Sequence, residues 1–173
     1  MLNFFLNNNT NEVNLYKNIL LLSRNKIFYT KFDLADTFHN RINLIFIHIS
    51  FIFIKIKQKK ENGVLKKFQQ KLFDLVFNKI EVNMREIGYG DVSVNKKMKF
   101  LVKSFYNILL KCENFKNKSK KTKKYFFNEY LKLRSEDKNC DYMAIIEYFN
   151  KYETFCFDLN PDSVLKGELN FYY

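Results

Sequence analysis

Two long segments in the middle of the chain repeat apolar residues every three or four positions, which is the spacing of an amphipathic helix. In the first segment, these residues are Leu65, Phe68, Leu72, Leu75, Val76, Ile80, Met84 and Ile87. In the second, they are Val94, Met98, Leu101, Val102, Phe105, Leu109 and Cys112. The pattern predicts two helices that fold back on each other as an antiparallel hairpin.

The stretch 83–91 between these segments has the composition of a helix end, a turn and a new helix start, and holds two of the four glycines. Gly88 can adopt the left-handed backbone conformation that closes a helix, with Tyr89 folding back on the last turn. Asp91 or Ser93 can then cap the following helix. We name this stretch the corner.

The segment Ile42 to Ile56 is apolar on both faces, so periodicity cannot distinguish a strand from a helix that is buried all round. It is too short for a membrane span, which needs about 20 apolar residues. We predict a central helix that its neighbours surround, with Asp36 or Thr37 as its cap.

The remaining pattern predicts shorter elements around this centre. Residues 1–9 form a loose tail, and Thr10 or Asn11 caps a first helix; residues 23–37 form an irregular connection anchored by Phe28 and Tyr29. Residues 115–124 form a basic, solvated linker before a helix at 125–131. Asp141 caps a last helix, which ends before Pro161, and a short docked tail follows. The predicted fold is all-α, a single-domain bundle of about six helices over residues 10–173.

Composition fits one domain with a substantial core, since 47% of the 173 residues are hydrophobic. The formal net charge is +12, and it is uneven: residues 55–124 hold 20 Lys and Arg against 6 Asp and Glu, whereas residues 125–173 hold 5 against 9. This asymmetry can orient the molecule on an anionic partner. A+T-rich codons can also account for much of the lysine.

The basic surface expected within the linker consists of Lys116, Lys118, Lys120, Lys121, Lys123 and Lys124. It can meet an anionic membrane surface or ribosomal RNA phosphates, or it is a solvated loop without a partner. Nothing in the chain resembles a DNA-reading helix, so no DNA partner is expected.

The sequence lacks the residues that an enzyme would need. Its only histidines are His39 and His48, and His48 lies among isoleucines, as a core histidine does. The three cysteines are scattered, which indicates neither a disulfide framework nor a metal site, and Gly88 and Gly90 lack the third glycine of a nucleotide fingerprint. We therefore expect no cofactor, no metal and no catalysis.

Two blocks of motifs resemble the ubiquinol-cytochrome c chaperone family in their order and spacing. The first comprises Leu15-Tyr16, Ser23-Arg24, Phe28-Tyr29, Ala35-Asp36-Thr37, Arg41 and His48. The second comprises Leu72-Phe73-Asp74, the run from Met84 to Asp91, Val94, Lys97-Met98-Lys99 and Phe105-Tyr106. A weaker echo follows at 167–171.

The resemblance implies an all-helical, non-enzymatic assembly factor of the cytochrome bc1 complex. It implies newly made cytochrome b as the client, a second small assembly factor as a partner and, in organelles, the ribosome. No basic residue precedes Lys17, so the N-terminus resembles neither a secretory signal nor an Arg-rich transit peptide, and we expect the protein to work where it is made. Together with the resemblance, this implies a cytoplasmic protein peripheral to the inner, respiratory membrane; the alternative is the mitochondrial matrix. The alternative function is a ribosome- or RNA-binding adaptor without a cytochrome client.

The candidate partner site combines the charged corner with a second pair of charges upstream. Its residues are Asp36, Arg41, Arg85, Glu86, Tyr89 and Asp91. Two interpretations are open: these side chains shape a client site, or they cap and pin helix ends. Aromatic residues left in a groove would add apolar surface for transmembrane segments of the client.

Overall fold

The helices of this protein are seen in a computed structural model, which describes residues 10–58, 63–134 and 142–173. In chain order they are α1 (Asn11–Ser23), α2 (Ile27–Thr30), α3 (Phe38–Lys57), α4 (Gly63–Glu86), α5 (Asp91–Cys112), a 3-10 helix (Phe115–Asn117), α6 (Lys120–Tyr130), α7 (Met143–Asp158) and α8 (Pro161–Leu165). The only β-pairing in the described ranges is an isolated antiparallel bridge between Leu34 and Leu133. The all-α prediction is confirmed, and α2 and α8 are short additions to the six longer helices.

Helix α3 is the centre of the bundle and contacts α1, α4, α5 and α7. Fifteen of its twenty residues are buried, so apolar side chains leave it in every direction. It starts at Thr37, whose hydroxyl accepts a hydrogen bond from the backbone amide of Asn40 (3.2 Å). The predicted central helix and one of its two candidate caps are therefore confirmed.

Two buried asparagines tie the start of α3 to the chain after α6. The Asn40 amide donates to the carbonyl oxygens of Ala35 and Lys132, both at 2.7 Å, and its own oxygen accepts from the Lys132 amide at 2.8 Å. Asn43 donates to the carbonyl oxygen of Tyr130 at 2.6 Å. These contacts satisfy the Lys132 amide and the Tyr130 carbonyl oxygen and add to the backbone hydrogen bond from Ala35 to Lys132, and so they hold residues 130–134 against the centre.

His48 is fully buried on α3 and hydrogen-bonded on both ring nitrogens. Nδ1 donates to the carbonyl oxygen of Leu44 (2.6 Å), which leaves Nε2 to accept from the Tyr148 hydroxyl of α7 (2.9 Å). Burial lowers the pKa of His48 to about 4, although the Leu44 hydrogen bond acts in the opposite direction. The imidazole is thus neutral, and it connects the two helices.

Helices α4 and α5 form the predicted antiparallel hairpin. Phe73 and Phe77 on α4 contact Phe105 on α5, with ring centroids 5.6 and 5.8 Å apart, and these residues lie at similar distances along the chain from the corner. Phe46 of α3 also contacts Phe77 and Phe105 at 5.5 and 5.3 Å. The hairpin therefore packs on the central helix through a shared aromatic layer.

The corner closes α4 with a Schellman motif, as predicted for Gly88. The amide of Gly88 donates to the carbonyl oxygen of Arg85 (3.0 Å), and the amide of Tyr89 donates to that of Met84 (3.1 Å). Gly88 has a φ of 94°, whereas Gly90, which precedes α5, has a φ of −70°. Only the first of these two glycines occupies the left-handed region.

Several predictions about individual residues are wrong. Helix α5 begins after Gly90 without a side-chain cap, so neither Asp91 nor Ser93 fills that role. Ile87 lies just past the end of α4 and is 61% exposed instead of continuing the apolar stripe. Residues 115–124 are not the predicted solvated linker, because the 3-10 helix and the start of α6, capped by Ser119, occupy most of them, and Phe115 and Lys123 are buried. The predicted tail at 1–9 and the cap at Asp141 lie outside the described residues.

The C-terminal residues pack on α1, which is the partner of the short docked tail that the sequence predicts. Pro161 is the first residue of α8, and Asn160 caps that helix through the amide of Asp162 (3.0 Å). The Asn18 side chain donates to the carbonyl oxygen of Gly167 at 2.9 Å. A Cβ at Gly167 would meet the backbone of α1 at 2.4 Å, so this close approach requires glycine. No described helix has both the length and the hydropathy to cross a membrane.

We expect Gly88→Ala to destabilise the fold by about 1 kcal/mol, because alanine in the left-handed conformation is strained. Gly90→Ala is the matched control, since its φ of −70° suits any residue and nothing lies within 4 Å of a Cβ at either position. The control should leave stability unchanged or slightly higher. Chemical denaturation of both variants measures the difference, and equal losses would contradict the assignment of strain to Gly88.

Stability should fall as the pH drops through the range set by His48. Its folded pKa of about 4 lies below the unfolded value of 6.5, so protonation favours the unfolded chain. The neutral His48 side chain contributes a total of about 3 kcal/mol to the free energy of unfolding. This contribution is complete above about pH 6.5 and is lost towards about pH 4. Denaturant unfolding at about pH 7 and about pH 5 should show a larger difference for the wild type than for His48→Gln, whose amide oxygen can still accept from Tyr148.

Candidate functional site

The corner carries an exposed charge cluster centred on Arg85. The guanidinium bonds Glu81 one turn earlier on α4 (3.0 Å) and also pairs with Asp91, the first residue of α5. These hydrogen bonds, first to Asp91 and then to Glu81, raise the pKa of Arg85. Arg85 thus links the two helices across the turn, while Glu86 stays exposed without an ion pair to any described residue.

Three large apolar side chains surround these charges and stay in solvent. Ile87 is 61% exposed, Tyr89 38% and Val92 84%. The ammonium group of Lys97 lies 4.8 Å from the centre of the Tyr89 ring, which positions that ring beside the turn. We call Ile87, Tyr89 and Val92 the corner apolar group. Sequence periodicity missed Ile87 because its spacing continues the buried stripe of α4, and only the position of the helix end turns it outwards.

Asp36 and Arg41 form a second exposed pair, at the start of α3. The contact is bidentate, with Nε to Oδ1 at 2.7 Å and Nη2 to Oδ2 at 2.8 Å. The hydrogen bond from Arg41 lowers the pKa of Asp36, and the same bond raises the pKa of Arg41. Because this pair spans the Thr37 cap, it pins the entry to the central helix.

The two charged pairs lie at the same end of the bundle but are separate. Phe46 of α3 stacks on Phe77 of α4. Phe38, at the start of α3, lies eight residues from Phe46, and Glu86, at the end of α4, lies nine residues from Phe77. Both helix ends are therefore on the side of the bundle away from the 58–62 connection. In the described part of the chain, no hydrogen bond or ion pair joins Asp36 or Arg41 to the corner. The predicted site residues therefore lie at the same end of the bundle but do not form one cluster.

The basic surface predicted at 116–124 is smaller than expected. Lys123 is buried, where its ammonium donates to the carbonyl oxygen of Lys116 (3.1 Å) and to the Asn150 side chain (2.8 Å). Burial lowers the pKa of Lys123. Lys118 donates to the carbonyl oxygen of Lys111. The lysines whose side chains stay exposed are Lys116, Lys120, Lys121 and Lys124.

The aromatic surplus lies mainly in the core, and a smaller part of it, Phe53, Phe73, Phe105 and Tyr106, lines a cleft of about 250 Å³ beside α4 and α5. Nine aromatic side chains are almost fully buried, namely Phe28, Phe46, Phe51, Phe105, Phe115, Phe127, Tyr148, Phe149 and Tyr152. Exposed large apolar side chains remain at scattered positions such as Leu21, Val64, Tyr125 and Tyr172, and six more lie at the corner and along α5. Because these six are close together in the chain, we look for a client surface there.

The described residues hold no arrangement for chemistry. His48 is neutral and enclosed, and burial raises the pKa of the Cys112 and Cys156 thiols, so neither is an accessible nucleophile. A cleft of about 770 Å³ lies beside the ends of α3 and α7, but neither His48 nor Cys112 lines it. No group of carboxylates, histidines or cysteines in the described ranges is arranged to hold a metal.

Comparisons with known proteins agree with this geometry. The sequence profile described as ubiquinol-cytochrome c chaperone matches residues 30–123, which is more than half of the 173 residues and includes both charged pairs. The crystal structure of the Cbp3 homolog from Brucella abortus has a similar fold, with a TM-score of 0.76 and 21% identity over 94% of this chain and 89% of that chain. A comparison with curated proteins gives no match. The chain therefore belongs to the ubiquinol-cytochrome c chaperone family, and it acts as a chaperone and not as an enzyme.

Proposed function

We propose that this protein binds newly made cytochrome b and holds it during assembly of ubiquinol-cytochrome c reductase, with the corner as the site of contact. The observation that carries the proposal is the corner apolar group, which the fold leaves in solvent. Family membership supports the client, since the matched segment contains the whole corner.

The corner has the physical properties that a binding site for apolar segments needs. Its backbone is held by two hydrogen bonds of the Schellman motif and by the Arg85 contacts across the turn, so it loses little conformational entropy on binding. Burying the apolar group gains about 25 cal/mol for each Å² removed from water. The charges around it can pair with polar ends of a client segment and so orient it.

The proposal extends to the setting in which the client is met. Cytochrome b is a membrane protein, so the chaperone works at the cytoplasmic face of the respiratory membrane or, in an organelle, at the matrix face. A second small assembly factor and the ribosome are the further partners that the family resemblance supports. Asp36 and Arg41 pin the entry to α3 and act on the client site indirectly.

Replacing two members of the corner apolar group should weaken client capture without unfolding the protein. We expect Ile87→Ser with Val92→Ser to reduce cytochrome b co-purification several-fold, because exposed side chains contribute little to stability. Val64→Ser is the matched control, since Val64 is 63% exposed at the other end of α4. If the double variant and the Val64→Ser control capture equal amounts of cytochrome b, the corner is not the client site.

Arg85→Ala should also reduce co-purification of cytochrome b while the thermal midpoint stays nearly unchanged, because exposed ion pairs stabilise folds only slightly. Lys66→Ala, an exposed position in the first turn of α4, provides the control for a lost positive charge. If the midpoint of Arg85→Ala instead drops sharply, Arg85 serves to pin the two helix ends, and its effect on capture is indirect.

A further inference from the structure

The outer side of α5 carries a continuous row of exposed residues. They are Val92, Lys96, Lys99, Lys103, Tyr106 and Leu110, whose spacings of four, three, four, three and four place them on one side of a helix. The buried residues of α5 occupy the opposite side, namely Val94, Leu101, Phe105, Ile108 and Cys112. We call the exposed row, together with the adjacent Phe100, the outer face of α5.

This face combines unpaired positive charge with large apolar side chains. Lys96, Lys99 and Lys103 form no ion pair with a carboxylate of the described residues. After Asp91, helix α5 contains no acidic residue. Phe100 and Leu110 are 64% and 63% exposed. Such a surface is complementary to a partner that is anionic outside and apolar just beneath.

We propose that the outer face of α5 docks on the surface of an anionic lipid bilayer. The lysine ammonium groups contact lipid phosphates, while Phe100, Tyr106 and Leu110 enter the boundary between headgroups and acyl chains. A helix of 22 residues, about 33 Å long, can present this row along a flat surface. The inference rests on the proposed function, which sets the chaperone beside a membrane, and it names the face that meets the lipid.

The apolar part of the face favours lipid over RNA. Lysines bind the phosphates of both, and Phe100 and Tyr106 can stack on bases, but Val92 and Leu110 have no ring with which to hold a base. An exposed leucine beside lysines gains free energy when it enters an acyl layer. The predicted basic surface lacks this combination, because Tyr125 is the single large hydrophobic side chain that is prominently exposed in residues 115–134 of the described chain.

Two triple variants with equal loss of charge test the position of the lipid-binding face. The purified protein is sedimented with vesicles of phosphatidylcholine alone or mixed with phosphatidylglycerol. We expect Lys96→Gln, Lys99→Gln and Lys103→Gln together to weaken binding to the anionic vesicles about 100-fold. Lys120→Gln, Lys121→Gln and Lys124→Gln should weaken it less than about tenfold, since only the long-range attraction falls.

A tryptophan reporter tests insertion, because the chain contains no tryptophan. Phe100→Trp should show a blue-shifted emission with anionic vesicles and no shift with phosphatidylcholine alone. An unshifted emission with bound vesicles, or a larger loss in the Lys120 triple variant, overturns the proposal. The proposal is also overturned if the protein does not bind vesicles but binds ribosomal RNA with a steep salt dependence, since RNA is then the partner of this face.

Cytochrome b capture in detergent separates this inference from the proposed function. The α5 triple variant should capture cytochrome b as the wild type does, because none of its changed residues belongs to the corner. Vesicle binding with no cytochrome b capture by any form would refute the proposed function and leave the lipid face intact. Capture without vesicle binding would refute the lipid face alone.

Discussion

The structure depends on the burial of α3, whose residues 42–54 are all buried. A helix with isoleucine and phenylalanine on every side is stable in water only when neighbours cover all of it, and α1, α4, α5 and α7 do so. Burial also removes water from its polar residues, so each of them needs a partner inside the protein. Asn40, Asn43 and His48 find theirs on segments that are about 90 to 100 residues away along the chain.

These internal contacts explain why His48, Cys112 and Cys156 are unavailable for chemistry. The hydrogen bonds of His48 to Leu44 and Tyr148 use both ring nitrogens, and burial keeps the ring neutral. Cys112 and Cys156 pack as small apolar side chains. The interior is therefore devoted to holding the helices together, and interactions with other molecules are left to the surface.

The α4–α5 hairpin carries two exposed surfaces that differ in charge. The corner places apolar residues beside an ion-pair network, whereas the outer face of α5 places them beside unpaired lysines. The first combination suits a polypeptide with its own charges, and the second suits an anionic bilayer. Since α5 runs directly from the corner, the proposed client site and the proposed lipid face lie on one hairpin.

The sequence by itself determined helices α4, α5 and α7, the corner and the family. Apolar spacing is local information, and it located α4, α5 and α7; glycine chemistry identified the left-handed turn at Gly88, and motif order indicated the family. The helical state of Ile42–Ile56 was a choice that periodicity left open. Only the tertiary structure decided it, because burial on all sides depends on distant helices.

The same holds for Lys123, which looks solvated in a lysine run and is buried because Lys116 and Asn150 fold around it. It holds as well for Ile87, which the end of α4 turns into solvent. Local patterns specify elements, whereas the side chains that stay exposed depend on which elements meet, and that is a property of long-range packing.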